Sequence, residues 1–266
     1  MRKFLARFFS VNFDNRYQAF YSHLLLSVVI AGSILAIAKL MWYPNAIMIA
    51  LGATKVFLLV ILVDACFGPV LTFATYNKNK SRKSIKLDFS IIIFLQLAAL
   101  AYGSYTLYAG RPVYYVFSVD RFELVQANDI PQAFLDDEAS GEYGRLPIRQ
   151  AKWLYAELPD DINERNALLF GQIETGTDLA QTPRYYQPLE SGAELVREKI
   201  GSLNDLRQRN DGATFDDTVI KDLALSDTVN YGFLPLAAKK KDLSIILDRK
   251  TLEVIKIVDL YPWPEQ

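Results

Sequence analysis

Apolar positions along this chain follow two regimes. From Tyr17 to Gly110 they gather in three long runs, whereas beyond Arg111 they come in short bursts separated by charged turns. Tyr17–Ala38 holds no acid or base apart from His23. Phe89–Gly110 holds none, and Val56–Tyr76 only Asp64. About 20 helical residues, at about 1.5 Å each, cross a hydrocarbon core about 30 Å thick. The pattern therefore predicts three transmembrane α-helices, at about 17–41, 55–76 and 88–109, after an amino-terminal segment 1–16. Residues 111–266 form a separate soluble domain. Trp42, Tyr43, Tyr76, Tyr102, Tyr105 and Tyr108 fall toward the span ends, where aromatic side chains favour the headgroup layer.

In the domain the period changes. Val113–Val119 and Phe122–Val125, rich in β-branched and aromatic residues, read as strands, as does Ala151–Leu158. Asp160-Asp161 supplies cap chemistry for a helix over Asn163–Ile173, stopped by Gly176; Ser191–Ile200 and Phe215–Leu225 also read as helices. Three last runs, Asn230–Ala237, Leu243–Leu247 and Val254–Asp259, suit a carboxy-terminal antiparallel β-meander. The fold class is a membrane protein with an α+β domain after its last span.

Charge orients the chain. Met1–Gly110 carries 11 Lys/Arg against 3 Asp/Glu, and the remainder 18 against 27. Arg2, Lys3, Arg7 and Arg16 precede the first span, and Lys78, Lys80, Arg82, Lys83 and Lys86 fill the loop between the second and third. Leu40–Thr54 has no charge beyond its flanks. Basic loops stay in the cytoplasm, so the reading is amino terminus in, domain out. Leu24–Leu35 with Ala36-Ile37-Ala38 has features of a cleavable signal, but the length of the run and the following Lys39 favour a span.

Candidate chemistry is sparse. His23, the only histidine, lies at a span end, and Cys66 is the only cysteine, which removes histidine triads, thiolate metal sites and disulfides from the domain. Asp136-Asp137-Glu138, Asp160-Asp161 and Asp216-Asp217 could serve glycoside hydrolysis, yet adjacent acids more often mark helix starts and solvated turns. No catalytic residue, metal site, cofactor or nucleic-acid partner is assigned. Pro183-Arg184-Tyr185-Tyr186-Gln187-Pro188 reads as a rigid loop, either packed on the sheet or part of a protein-binding surface.

The costly residue is Asp64, an acid at bilayer depth. Gly68-Pro69 follows it, and the proline is expected to kink the span and free the carbonyl of Ala65. Asp64 pairs either with Gln96 or a serine of a neighbouring span, or with another chain.

The order Val63-Asp64, Gly68-Pro69-Val70-Leu71-Thr72, Lys86-Leu87-Asp88, Gln96 and Ala101-Tyr102-Gly103 resembles the membrane region of the TfpX/TfpZ family of type IV pilin accessory proteins. The likeness continues through Arg111-Pro112-Val113, Asp120-Arg121-Phe122-Glu123, Pro183-Arg184-Tyr185-Tyr186 and Phe233-Leu234-Pro235-Leu236 to Pro262-Trp263. One departure is Leu252, where an Asp-x-Lys-Thr-Gly-Glu turn would carry glycine. The resemblance implies a multi-pass inner-membrane protein of a piliated Gram-negative bacterium with a periplasmic domain. It would be a non-enzymatic accessory protein or chaperone working with a type IV major pilin. Its partners would be that pilin, membrane lipids and other inner-membrane proteins of the pilus machinery. Arg111, Asp120, Arg121, Arg184, Tyr185 and Tyr186 are the candidate partner-binding residues; Asp64, Gly68, Pro69 and Gln96 form the intramembrane polar and kink set. The rival readings are an envelope- or pilin-modifying enzyme using the domain's carboxylates, and a scaffold or signalling subunit.

Overall fold

Helix α1 (Arg16–Met41) and helix α3 (Thr54–Thr75) are joined by a segment carrying the short helix α2 (Asn45–Ala50), and helix α4 (Arg82–Ala109) follows. The computed structural model describes residues 13–166, 168, 177–221 and 229–264. Arg2, Lys3 and Arg7, most of the helix expected over 163–173 with its stop at Gly176, and the end of that expected over 215–225 lie outside the described residues. Two compact units result, one from the residues up to 40 with 53–109, the other from 41–52 with 110 onward.

In the first unit, α1, α3 and α4 are each long and apolar enough to cross a membrane. Each helix turns a narrow stripe inward. On α1 it is Ala19, His23, Ser27, Ala31, Leu35 and Ala38, largely at intervals of four, so that small residues face the neighbouring helices. On α4 it is Ile85, Phe89, Ile92, Gln96, Leu100, Gly103 and Leu107. A Cβ on Gly103 would collide with the Val60 side chain, so α3 and α4 approach closely there. The outer faces stay apolar, with Leu58 60% and Phe94 70% exposed. Tyr102 and Tyr105 join that outer face, but Tyr76 turns inward and donates to the Phe13 carbonyl (2.6 Å). Tyr43 is likewise buried, within the second unit.

In the second unit eight described strands make one sheet. Strands β1 (Pro112–Ser118), β2 (Arg121–Gln126), β3 (Lys152–Ala156), β4 (Tyr186–Pro188), β5 (Gly201–Ser202), β6 (Tyr231–Ala237), β7 (Leu243–Asp248) and β8 (Val254–Val258) run in the order β4-β3-β1-β2-β6-β7-β8, with β5 on β6. The last three strands do pair antiparallel in succession, but they are not a separate meander. β2 pairs β6 in parallel and β1 pairs β3 in parallel, so the sheet is mixed. The physical reason lies in β1, whose seven residues are all buried. A strand buried along its whole length needs cover on both faces and neighbours on both edges, and β1 takes an interior place between β2 and β3.

The loop read at Pro183–Pro188 is half strand: Tyr186–Pro188 pairs antiparallel with β3 at Leu154–Ala156. Asp161 caps the helix after it, accepting from the N–H groups of Asn163 (2.8 Å) and Glu164 (3.0 Å). Helix α5 (Ala193–Lys199) and helix α6 (Leu203–Gln208) lie between β4 and β6. One core cluster gathers Val113, Tyr114, Val116, Leu154 and Tyr186; another gathers Leu203, Leu206, Phe233, Ile246 and Val258. Residues 41–52 are built into this unit, because Lys240 N–H donates to the Ala50 carbonyl (2.9 Å) and Trp42 Nε1 to the Ile148 carbonyl (2.6 Å).

Candidate functional site

The polar residues of the helical unit converge. Helix α3 is not α-helical throughout, since Leu62–Phe67 forms a π turn with Asp64 inside it. In that register the Gly68 N–H reaches back to the Val63 carbonyl. The donor due to the Asp64 carbonyl is then residue 69, which is proline and has none. Gln96 of α4 fills the gap, its Nε2 donating to that carbonyl at 3.1 Å. The freed acceptor is thus Asp64's and not Ala65's, one residue earlier than an unbroken α-helix would give. A Cβ on Gly68 would run into the Gln96 amide, so glycine makes room for it. Of the expected intramembrane set, Asp64, Gly68, Pro69 and Gln96 all meet at this one point.

Three residues not assigned to the site complete it. Gln96 Oε1 lies 2.7 Å from His23 Nε2, and Thr72 Oγ1 lies 2.5 Å from His23 Nδ1. Because Gln96 presents its oxygen to the ring and its amide hydrogens elsewhere, His23 Nε2 is the donor of that pair. The second amide hydrogen points to Ser27 Oγ, at 3.4 Å. His23, expected only as a span-end residue, is therefore a tie between all three helices. The stripe of α1, His23 with Ser27 four residues on, carried that information in the sequence.

Asp64 itself is left in an unusual position. It is 3% exposed, and its Oδ2 has no hydrogen-bond partner among the described residues. Neither Gln96 nor a serine pairs with the carboxylate; Gln96 binds the backbone instead. The side chain lines a cavity of about 210 Å³ between α1 and α4, walled by apolar side chains including Leu26, Ile93 and Leu100. π turns in helices recur at functional sites because they reposition a side chain at the cost of helix regularity.

The candidate partner-binding residues of the second unit do not form one patch. Arg111 is buried, its Nε donating to the Pro147 carbonyl (3.3 Å). At the far end of β1, Asp120 lies in the tight β1–β2 turn and Arg121 opens β2, where Arg121 pairs with Asp120 (3.3 Å) and Glu123 (3.6 Å) and lies over Trp263. Burial pushes the Glu123 carboxyl above its usual range and Asp178 adds to that, with Arg121 opposing. The turn tip is Val119, 62% exposed at φ 60°, a strained conformation for a β-branched residue. Tyr186 is buried and donates to the Ala180 carbonyl (2.5 Å), so it packs the core and offers no surface. Arg184 and Tyr185 remain accessible, Arg184 pairing with Asp137 (3.7 Å) beside a cavity of about 240 Å³.

The acid pairs serve local structure. Asp137 accepts from the Ala139 N–H (2.9 Å), Asp136 from Gln132 Nε2 (2.8 Å), and Asp216 pairs with Arg207 (2.9 Å).

No family model and no solved structure matches the chain. Three proteins of Dichelobacter nodosus are similar to it in sequence. The fimbrial assembly protein of serogroup E1 is 30% identical over 246 residues, which is 90% of this chain and 92% of that protein. The fimbrial assembly protein of serogroup I is 34% identical over 181 residues, 66% of this chain and 68% of its own length. That of serogroups C1 and C2 is 40% identical over 108 residues, 41% of this chain and 82% of the relative. With the first of these matching almost end to end, the chain belongs to the family of fimbrial assembly proteins.

Proposed function

We propose that this protein is an inner-membrane accessory protein of type IV pilus assembly, of the TfpX/TfpZ kind, that holds a major pilin subunit before it is built into the fibre. Its work is non-enzymatic. The observation that carries the reading is a polar, π-distorted site at mid-depth of three apolar helices, in a chain of fimbrial assembly type. Buried polar groups within a span are costly unless they serve contacts between helices or with a partner.

In this reading the amino terminus is cytoplasmic and the second unit periplasmic. The basic loop 77–86 favours that orientation. The makeup of the second unit fits an even number of crossings between its two pieces: residues 41–52 and 110 onward belong together, and with α3 and α4 both crossing, those segments emerge on one side. The unit then offers Arg184 and Tyr185, and separately the Val119 tip, as surfaces for a pilin head.

The test is a deletion strain complemented by the tagged chain, with pilin level, surface pili and co-purification read together. Recovery of the major pilin with the tagged chain, and loss of pili without it, is expected. Recovery of motor-platform proteins without pilin would replace this reading by that of a scaffold subunit.

A further inference from the structure

We propose that the notch between α1 and α4 is a docking site for one alkylammonium side chain carried by a membrane helix of a partner protein. The inference rests on the membrane reading above, though not on the partner being a pilin. Asp64 Oδ2 is buried, lines the notch and has no hydrogen-bond donor among the described residues. The neighbouring Gln96 amide does not serve it. Both amide hydrogens of Gln96 are used, on the Asp64 carbonyl and on Ser27, and its oxygen accepts from His23. The π turn, locked by Pro69, fixes the carboxylate in place.

The chemistry of the rest of the notch selects the ligand. Leu26, Ile93 and Leu100 suit a hydrocarbon stem, and Ile30 and Leu97 of the lining are 41% and 55% exposed, so the mouth opens on the outer face of the helices. A volume of about 210 Å³ lies below the roughly 300 Å³ at which drug-sized sites begin. It suits one side chain, not a helix backbone or a large molecule. Depth selects the source. Asp64 sits near the middle of Thr54–Thr75, about 15 Å from either end at about 1.5 Å per residue. A lipid headgroup amine remains at the boundary of a core about 30 Å thick, whereas a side chain on a neighbouring helix can sit at this level. A donor bearing positive charge both fills the vacant acceptor position of Oδ2 and neutralises the carboxylate.

The test uses the full chain reconstituted in phosphatidylcholine vesicles with two labelled leucine-rich transmembrane peptides, identical except for lysine or norleucine at the centre. Association is read by energy transfer. The lysine peptide is expected to associate at least tenfold more strongly, and both Asp64→Asn and the notch-filling Ala31→Phe should bring the ratio to about one. Equal association of the two peptides with the unaltered chain overturns the proposal, whatever the variants do. So does a lysine preference that survives Asp64→Asn. If adding phosphatidylethanolamine abolishes the preference, a lipid amine occupies the notch and the proposal is again overturned. Failure of the membrane reading would show separately, as a chain extracted from vesicles by alkaline carbonate before any peptide is added.

Discussion

The turn between β7 and β8 isolates the energetic role of one backbone angle. Leu252 sits at φ 61°, in the left-handed region, at the position where related turns carry glycine. Its surroundings hold it there. Leu252 N–H donates to the Asp248 carbonyl (2.9 Å), Asp248 N–H to the Glu253 carbonyl (3.0 Å), and Asp248 Oδ1 accepts from the N–H groups of Lys250 (2.8 Å) and Thr251 (2.9 Å). The ladder slips by one residue at Ile246/Leu247, the bulge that such turns produce. A left-handed conformation costs an L-residue about 1–2 kcal/mol, while glycine loses about 0.5–1 kcal/mol more chain entropy than alanine on folding. Leu252→Gly and Leu252→Ala remove nearly the same side chain, so their difference reports the backbone. Leu252→Gly should be the more stable by about 0.5–1 kcal/mol, or roughly 1–4 °C in Tm for a unit of this size. The three tryptophans, Trp42, Trp153 and Trp263, all belong to the second unit, so fluorescence-monitored unfolding of the full chain reads it selectively. An alanine variant as stable as the glycine variant, or more so, would refute the reasoning.

Gly68→Ala should lower the detergent stability of the helical unit by about 1–3 kcal/mol, since its Cβ meets Gln96, while Gly32→Ala, with nothing within 4 Å, should be neutral; equal effects would remove Gly68 from the site. Asp136→Asn and Asp137→Asn should leave piliation intact at normal protein level, and loss of pili with the fold preserved would revive the enzyme reading. In a Cys66→Ser background, an impermeant maleimide added to spheroplasts should label Glu142→Cys but reach Asn79→Cys only after lysis, with the reverse pattern inverting the topology. Backbone N–H groups of Thr251 and Lys250 hold the Asp248 carboxyl below its usual range. That contribution is complete above the unfolded value of about 3.9 and fades as pH falls through the lower folded value, so acid unfolding of Asp248→Asn should be less steep there.

The apolar helices and strands β1, β2, β3, β6, β7 and β8 were legible because their periods are dictated locally. Less legible was what depends on partners distant in sequence. The parallel pairing of β2 with β6 sets Phe122 against Leu236, and no short window contains it. Tyr186 read as a loop aromatic because prolines bracket it, yet a three-residue edge strand tolerates Pro188 at its end. At the candidate site, Asp64, Gly68, Pro69 and Gln96 stood out by cost and spacing. Their actual bonding did not, because a π turn shifts the orphaned carbonyl by one residue and sequence spacing carries no mark of it. His23 was misplaced for a simpler reason. Counting from the start of the span put it at the edge, while the Ala19, His23, Ser27, Ala31 stripe put it on the buried face.

The second unit is discontinuous in sequence, and this bears on biogenesis. Its first piece, carrying Tyr43, Ile47 and the Ala50 carbonyl that receives Lys240, is synthesised before α3 and α4 and must wait for strands that appear only near the carboxy terminus. On the proposed topology, completion of the domain requires that two separately translocated segments reach the same compartment. A chain with one helix inserted the wrong way would strand residues 41–52 across the bilayer and leave Lys240 without its acceptor. On that topology, native folding of the domain would act as a checkpoint on correct insertion. For the same reason a fragment beginning at residue 110 would lack part of its own core.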